Sequence, residues 1–408
     1  MPTTISAGDT AWLLLSAALV MLMTPALGFF YGGLVRRKNV LATIMHSFFI
    51  LCLISVQWVL WGYTLAFGPD HGGLIGGLDW LTTKGVGQEP GPYAATVPHQ
   101  AFMVFQMMFA VITPALITGA FAERKRFKAF VIFTLLWATF VYDPIAHWVW
   151  GGGWLGQLGA LDFAGGTVVH ITSGVSALVA ALVLGRRVGY GREALEPHDA
   201  TMTVLGASLL WFGWFGFNAG SAITAGGLAA NAFVVTNTAA AMAALTWMTV
   251  SWLHKGAPSV LGAAAGAVAG LVAITPASGY VDVSSSILIG LGAGIFCYTA
   301  IQLTKRFRVD DALDVFGVHG IGGAWGAMAT GIFATVAVNG AAKDGLLAGN
   351  PGQLGIQAIA VGASIIYSAV MTFVILKLID VFVGLRVPEN EEVLGLDASQ
   401  HREAAYQI

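Results

Sequence analysis

Apolar residues in this chain come in long unbroken runs, separated by short clusters of glycine, proline and charge. The runs do not alternate with period two, so they predict helices rather than barrel strands. Eleven runs are compatible with the ~20 residues a helix needs to cross a ~30 Å hydrocarbon core. They fall at about 10–34, 42–67, 99–121, 127–150, 163–185, 201–219, 227–253, 258–276, 283–303, 313–338 and 355–383. Composition supports the same picture: 57% of the 408 residues are hydrophobic and 10% charged, against ~25% charged in soluble domains. So little polar surface cannot coat a soluble globule of this size. An all-α integral membrane protein is expected. The cysteines, Cys52 and Cys297, lie inside apolar runs and read as buried small hydrophobes, not a disulfide or a metal site.

Charge position matters more than the net charge of −2. Under eleven spans, Arg36, Arg37 and Lys38 fall on one side with Arg124, Lys125, Arg126 and Lys128. Arg186, Arg187, Arg192, Lys255, Lys305, Arg306, Arg308, Lys377, Arg386 and Arg402 join them, seventeen of the nineteen basic residues. Only Lys84 and Lys343 fall on the other. The basic side is therefore expected to be cytoplasmic, with the N-terminus outside and the C-terminus inside. The first ten residues hold Asp9 and no basic residue, so the first span reads as a retained helix and not a signal peptide.

The two halves echo each other. Span five carries Asp162 and His170, and span ten carries Asp314 and His319 within "DVFGVHG". Span one ends "GFFYGG" and span six ends "WFGFNAGS". If about 10–185 repeats as about 201–338, five spans per copy force the second copy to insert upside down. Such inverted repeats are a common transporter plan, with the pathway at the repeat interface. The helix at about 355–383 then stands outside the repeat. The glycines, including Gly165, Gly166, Gly320, Gly323 and Gly326, suit close helix packing in lipid.

Of nine histidines, His71, His99 and His147 fall in or beside outer loops. His46, His198, His254 and His401 fall at the inner edge or beyond. His170 and His319 alone sit well inside spans, each about seven residues (~10 Å) from the start of its helix. Entering from opposite faces, they reach similar depth. Ionisable residues in lipid usually mark function. A haem would take two axial imidazoles, but cytochrome bundles usually lack this inverted arrangement. A metal would want further ligands, and none accompanies the pair. A proton-handling or hydrogen-bonding path needs only the two rings, and asks least of the sequence.

The stretches "GFFYGGLVRRKNVL", "GAFAERKRF", "WGGGWLGQLGALDFAGGTVVHI", "WFGFNAGSA", "ITPASGY", "VDDALDVFGVHGIGGAWG" and "LRVPENEEVLGLD" run in order nearly end to end. Together they resemble the ammonium transporter (Amt/Mep/Rh) superfamily, on its bacterial Amt side. The resemblance implies a transporter, not an enzyme, without cofactor or metal. It implies a homotrimer in the bacterial inner membrane, each subunit with its own narrow pore through a five-plus-five inverted repeat.

Matched position by position, the resemblance implies an outer ammonium-recruiting site of Phe109, Trp150 and Ser221, with Phe105 beside it and Asp162 near. Aromatic faces and a hydroxyl suit a small cation with four N–H donors, although Trp150 also fits an interfacial belt. Phe109 and Phe217 resemble a phenyl gate. His170, His319 and Trp214 resemble the pore lining. Asp162 either caps and orients the site or also accepts charge. The membrane domain is expected over 1–384. A cytoplasmic regulatory tail over 385–408 would meet a PII-type signal protein; no nucleic-acid partner is expected. The tail departs from the family at "GLDASQHREAAY", where Arg402 replaces a glycine. The competing readings are an electroneutral Rh-type channel for ammonia or carbon dioxide, an ammonium sensor, and a bis-histidine cytochrome.

Overall fold

The computed structural model describes residues 4–406, and within them the chain is mostly helical. Eleven helical segments follow one another: α1 Ala7–Leu34, α2 Arg37–Phe67, α3 His99–Phe121, α4 Phe127–Leu158, α5 Gly166–Leu184, α6 Ala200–Gly220, α7 Gly227–Lys255, α8 Val260–Ile274, α9 Val283–Arg306, α10 316–333 and α11 Pro351–Phe382. Among the described residues, nine are long and apolar enough to cross a membrane; α8 has only 15 residues, and α10 is glycine-rich. The tenth run was expected to continue to about 338. It stops at Phe333, because Thr335 donates its N–H to the Tyr280 carbonyl and Val336 to Asp344. The loop between α2 and α3 carries two small hairpins, Asp70–His71 with Ile75–Gly76 and Pro90–Gly91 with Ala94–Pro98.

The repeat echo is real at the helix starts, but its partner residues need correcting. Asp311, not Asp314, matches Asp162: each stands eight residues before its histidine, and the two copies are 149 positions apart. Asp162 bonds the first amides of α5, and Asp311 accepts from the Phe316 N–H at 2.7 Å. Phe163 N–H donates to the Pro276 carbonyl beyond α8, and Ala312 N–H donates to the Ala120 carbonyl at the end of α3. Both histidines lie on a single π-helical turn, Gly166–Ile171 and Phe316–Gly320. Asp314 instead pairs with Lys305 at 3.0 Å.

Where α5 and α10 cross, the contact is reciprocal. A Cβ on Gly174 would lie 2.1 Å from the Gly320 nitrogen, and one on Gly323 would lie 3.1 Å from the Ile171 nitrogen. With the 149-residue offset these are the same contact seen from either copy, as a two-fold relation requires. At Gly174 only glycine allows that approach; at Gly323 an added Cβ would need its neighbours to give slightly.

The basic residues gather on one face, here called the basic face. Glu123, fully covered, accepts from Arg36, Asn39 and Arg187, and Arg187 also holds Asp310 at 2.8 Å. Burial raises the Glu123 carboxyl, but Arg187 and Arg36 outweigh it and hold the group below the usual range. The tail folds onto this network. Asp397 caps α2 by accepting from the Leu41 and Ala42 amides, Leu396 N–H donates to Asn39, and Arg386 pairs with Glu392 at 2.7 Å. The last two residues of the expected tail lie outside the described residues. Cys297 is buried as expected, but Cys52 is exposed on the outer surface of α2.

Candidate functional site

Three cavities line up along the α5–α10 crossing. On the face opposite the basic one, the far face, an open cavity of about 320 Å³ is lined by Phe109, Trp150, Asp162, Ser221, Gln106 and Tyr280, among others. The middle of the molecule holds about 10 Å³, touched by His170, His319, Trp214, Phe217 and apolar side chains such as Leu27 and Phe30. A vestibule of about 370 Å³ opens on the basic face and meets His319, Phe30, Val318 and Asp314.

Each side chain of the far cavity is held by its own element. Trp150 ends the continuous part of α4, and its indole N–H donates to the Asp162 carbonyl at 2.8 Å. Ser221 follows the last turn of α6 and gives its hydroxyl proton to the Phe217 carbonyl at 2.8 Å, leaving its oxygen lone pairs for a donor. Phe109 stands edge-on to Trp150, ring centroids 5.9 Å apart. Phe105 is fully buried and does not line the cavity. It packs behind Phe109 at 4.9 Å and supports it.

Asp162 divides its carboxylate between five donors. Oδ1 accepts from the Gly165 and Gly166 amides at 2.8 and 2.6 Å; Oδ2 accepts from the Thr167 and Val168 amides and the Thr167 hydroxyl. Of the two roles expected for it, this geometry is that of a cap at a helix N-terminus. Its negative charge still borders the cavity.

Below this cavity, the Phe109 and Phe217 rings lie 4.4 Å apart and separate it from the middle space. Phe217 is nearly parallel to His170 at 6.0 Å, and Trp214 stacks on His170 at 5.5 Å. Trp214 is fixed by donating to the Thr275 hydroxyl at 2.9 Å, a partner the sequence did not single out. The two imidazoles meet through Nδ1 atoms 3.2 Å apart, so one donates and the other accepts. His170 Nε2 has no protein partner and is buried. No carboxylate, lysine or arginine touches the middle space, and among the described residues no group of three His, Cys, Asp or Glu side chains could hold a metal. Burial alone does not single out these rings, since His46, His99 and His147 are buried too.

A multi-pass helical membrane protein with aromatic and imidazole side chains along a narrow internal path is the build of a small-solute transporter. The pattern defining the Ammonium Transporter Family matches residues 11–406, and the chain belongs to that family. It is 55% identical to the ammonium transporter of Bacillus subtilis, over 98% of both chains. Its fold is similar to the crystal structure of Saccharomyces cerevisiae Mep2, with TM-score 0.89 and 37% identity over 95% of this chain and 89% of that one. It is also similar to a structure titled Sensor Amt Protein, with TM-score 0.90 and 29% identity over 96% and 98% of the two chains. The chain is an ammonium transporter by family.

Proposed function

We propose that the far face is outside, that all eleven helices cross the membrane, and that ammonium enters through the far cavity. The cation rests against Phe109 and Trp150 with the Ser221 oxygen accepting one of its N–H groups, while the capped Asp162 adds a favourable field. It gives up its proton to solvent water in that open cavity and crosses as ammonia past the Phe109–Phe217 pair, with His170 and His319 as polar handles.

The observation that carries this reading is the middle space. About 10 Å³ is room for roughly one water-sized molecule, and no charge lines it. A bare ammonium ion there would forfeit several kcal/mol or more of hydration, on the order of what any buried unpaired ion loses. Ammonia carries no such penalty. Potassium cannot shed a proton, so the path excludes it without a size filter. A proton passed separately along the imidazoles would make transport electrogenic.

Replacing both histidines with leucine should abolish ammonium-evoked current in proteoliposomes. Full and selective current in that variant would leave the two rings as core packing. Transport without current in the unmodified protein would favour the electroneutral channel of Rh type. The sensor reading draws on the similar structure titled as one, and it predicts ligand binding without flux. The same proposal takes residues 1–384 as the transport domain of a homotrimer in a bacterial inner membrane. Residues 385–408 are its cytoplasmic regulatory element, with a PII-type protein as partner. Pull-down of a PII protein by full-length but not tail-truncated transporter checks that last part.

A further inference from the structure

His147 lies one turn before Trp150 on α4 and is fully buried. Its Nδ1 is 2.9 Å from the Ala66 carbonyl oxygen, and its Nε2 is 2.9 Å from Asp70 Oδ1. A carbonyl oxygen and a carboxylate oxygen can only accept. With Asp70 ionised, both ring nitrogens must therefore donate, which a neutral imidazole cannot do. Asp70 belongs to the exposed loop after α2. The His147 hydrogen bond is the main cause holding its carboxyl below the usual range, with the Gly73 amide and His71 helping.

The bonds around this pair tie together the segments that build the far cavity. Ala66 precedes Phe67, whose carbonyl accepts the Tyr93 hydroxyl at 2.8 Å; that hydroxyl also lies 3.1 Å from the Gly151 carbonyl. Asp70 Oδ1 also accepts from the Gly73 amide at 2.8 Å, and the next turn of the loop takes the Trp148 indole N–H on the Leu74 carbonyl. Phe67, Tyr93, Val149 and Trp150 all line the cavity. The titratable neighbours are Asp70 and His71 on the loop, Tyr93 on the second hairpin, and Asp143 one turn back on α4, itself bonded to Gln57 of α2.

We propose that His147 is a buried imidazolium that clamps the far ends of α2 and α4 to the loop between α2 and α3, and thereby positions Trp150 for the incoming ammonium. The assignment rests on the far cavity being the recruiting site. His147 is a positioning residue: it does not line the cavity, and Asp70 neutralises its charge, so it does not repel the cation. Phenylalanine at 147 could serve neither acceptor.

The test uses the full-length transporter in liposomes with ¹⁵N-labelled histidine, His147 being assigned by its absence in His147→Gln. Both ring nitrogens should carry hydrogen at neutral pH, because each faces an oxygen that can only accept. A bare ring nitrogen at neutral pH in the unmodified protein would overturn the proposal, whatever the variants do. Asp70→Asn keeps an acceptor oxygen but removes the charge. In that variant the half-saturating ammonium concentration should rise several-fold. Maximal current should change by less than about two-fold, and Asp70→Glu should restore the original half-saturation. An unshifted half-saturation in Asp70→Asn would also sink the idea. Unchanged half-saturation in Trp150→Leu/Ser221→Ala would instead reject the recruiting site on which the proposal rests, and the nitrogen spectrum would still decide the protonation of His147.

Discussion

The starts of α5 and α10 are the same device built twice with different tolerances. Each has an aspartate cap, a residue of positive φ three positions later, a π turn and a histidine. In α5 the cap satisfies five donors and the positive-φ residue is Gly165, at +120°. In α10 Asp311 accepts from the Phe316 amide, its Oδ1 has no partner, and the positive-φ residue is Asp314, at +59°. The tight copy borders the aromatic cavity; the looser one borders the vestibule on the basic face. On the proposed reading, the tighter copy is the one beside the entering cation.

The largest expected contrast is between the caps. Asp162→Ala strands four buried amides, each costing about 1–3 kcal/mol. Together these approach the ~5–15 kcal/mol that holds a domain folded. No monodisperse protein should be recovered. Asp311→Ala should fold and lose about 1–2 kcal/mol, seen as a few degrees in melting temperature. Equal losses would erase the distinction between the two starts.

Next come the crossing glycines. A Cβ at Gly174 would sit 2.1 Å from backbone nitrogen, which cannot yield locally. At Gly323 the nearest atom is the His170 Cβ, at 2.9 Å. Gly174→Ala should cost about 3 kcal/mol and Gly323→Ala about 1 kcal/mol, the two ends of the overpacking range. Both should alter current in the folded fraction, because the first pushes on the His319 backbone and the second on His170; the first should lose far more stability. Melting curves beside current recordings separate the two outcomes.

How far could this have been read from the chain alone? Helix positions were legible because apolar runs and Lys/Arg clusters obey the physics of the bilayer everywhere. The histidine pair was legible because polar residues stand out inside apolar runs. The Asp162 counterpart was missed because three aspartates, Asp310, Asp311 and Asp314, crowd one short stretch. The nearest to the glycine-rich motif was the natural choice, and only backbone hydrogen bonds single out Asp311. His147 was set aside as a loop-side residue, since nothing in sequence reveals that two acceptors converge on it. Thr275 lies 61 residues from the Trp214 it fixes, a contact that no local pattern encodes.

A pH contrast follows on the basic face, in the loops outside the helices. Burial, with Asp314 nearby, pushes the Asp311 carboxyl up to about 7. That is above the ~3.9 of an unfolded aspartate. Its contribution to stability is thus fully present below about pH 4 and is lost as pH rises through about 7. Glu123 and Asp310 go the other way. Burial raises both, but their arginine partners outweigh it and hold them low. Their contribution is present above about pH 4 and lost as acid protonates them. Asp311→Asn should remove the decline between about pH 4 and 7 while leaving the acid limb intact. An unchanged decline in melting temperature would place its origin elsewhere.

The smallest expected effect is the exchange of the two positive-φ residues. A non-glycine residue in the left-handed region costs roughly 1–2 kcal/mol, with aspartate among the more tolerant. Asp314→Gly relieves that strain. It also frees the unfolded chain, at about 0.4–1 kcal/mol. The Lys305 ion pair it removes joins side chains 55% and 29% exposed, and such a pair contributes only ~0–1 kcal/mol. These terms nearly cancel, so stability should stay within about 0.5 kcal/mol, typical of a surface site. The reverse exchange, Gly165→Asp, should not be silent. Its Cβ would meet the Val169 side chain at 2.5 Å, and a φ of +120° lies outside what any L residue holds comfortably. Melting measurements on the two variants give the comparison directly. Normal stability with impaired current in Asp314→Gly would mean that this carboxylate, which faces the vestibule, serves the leaving solute as well as the turn. Normal stability and current in both variants would mean that the two starts differ only by drift.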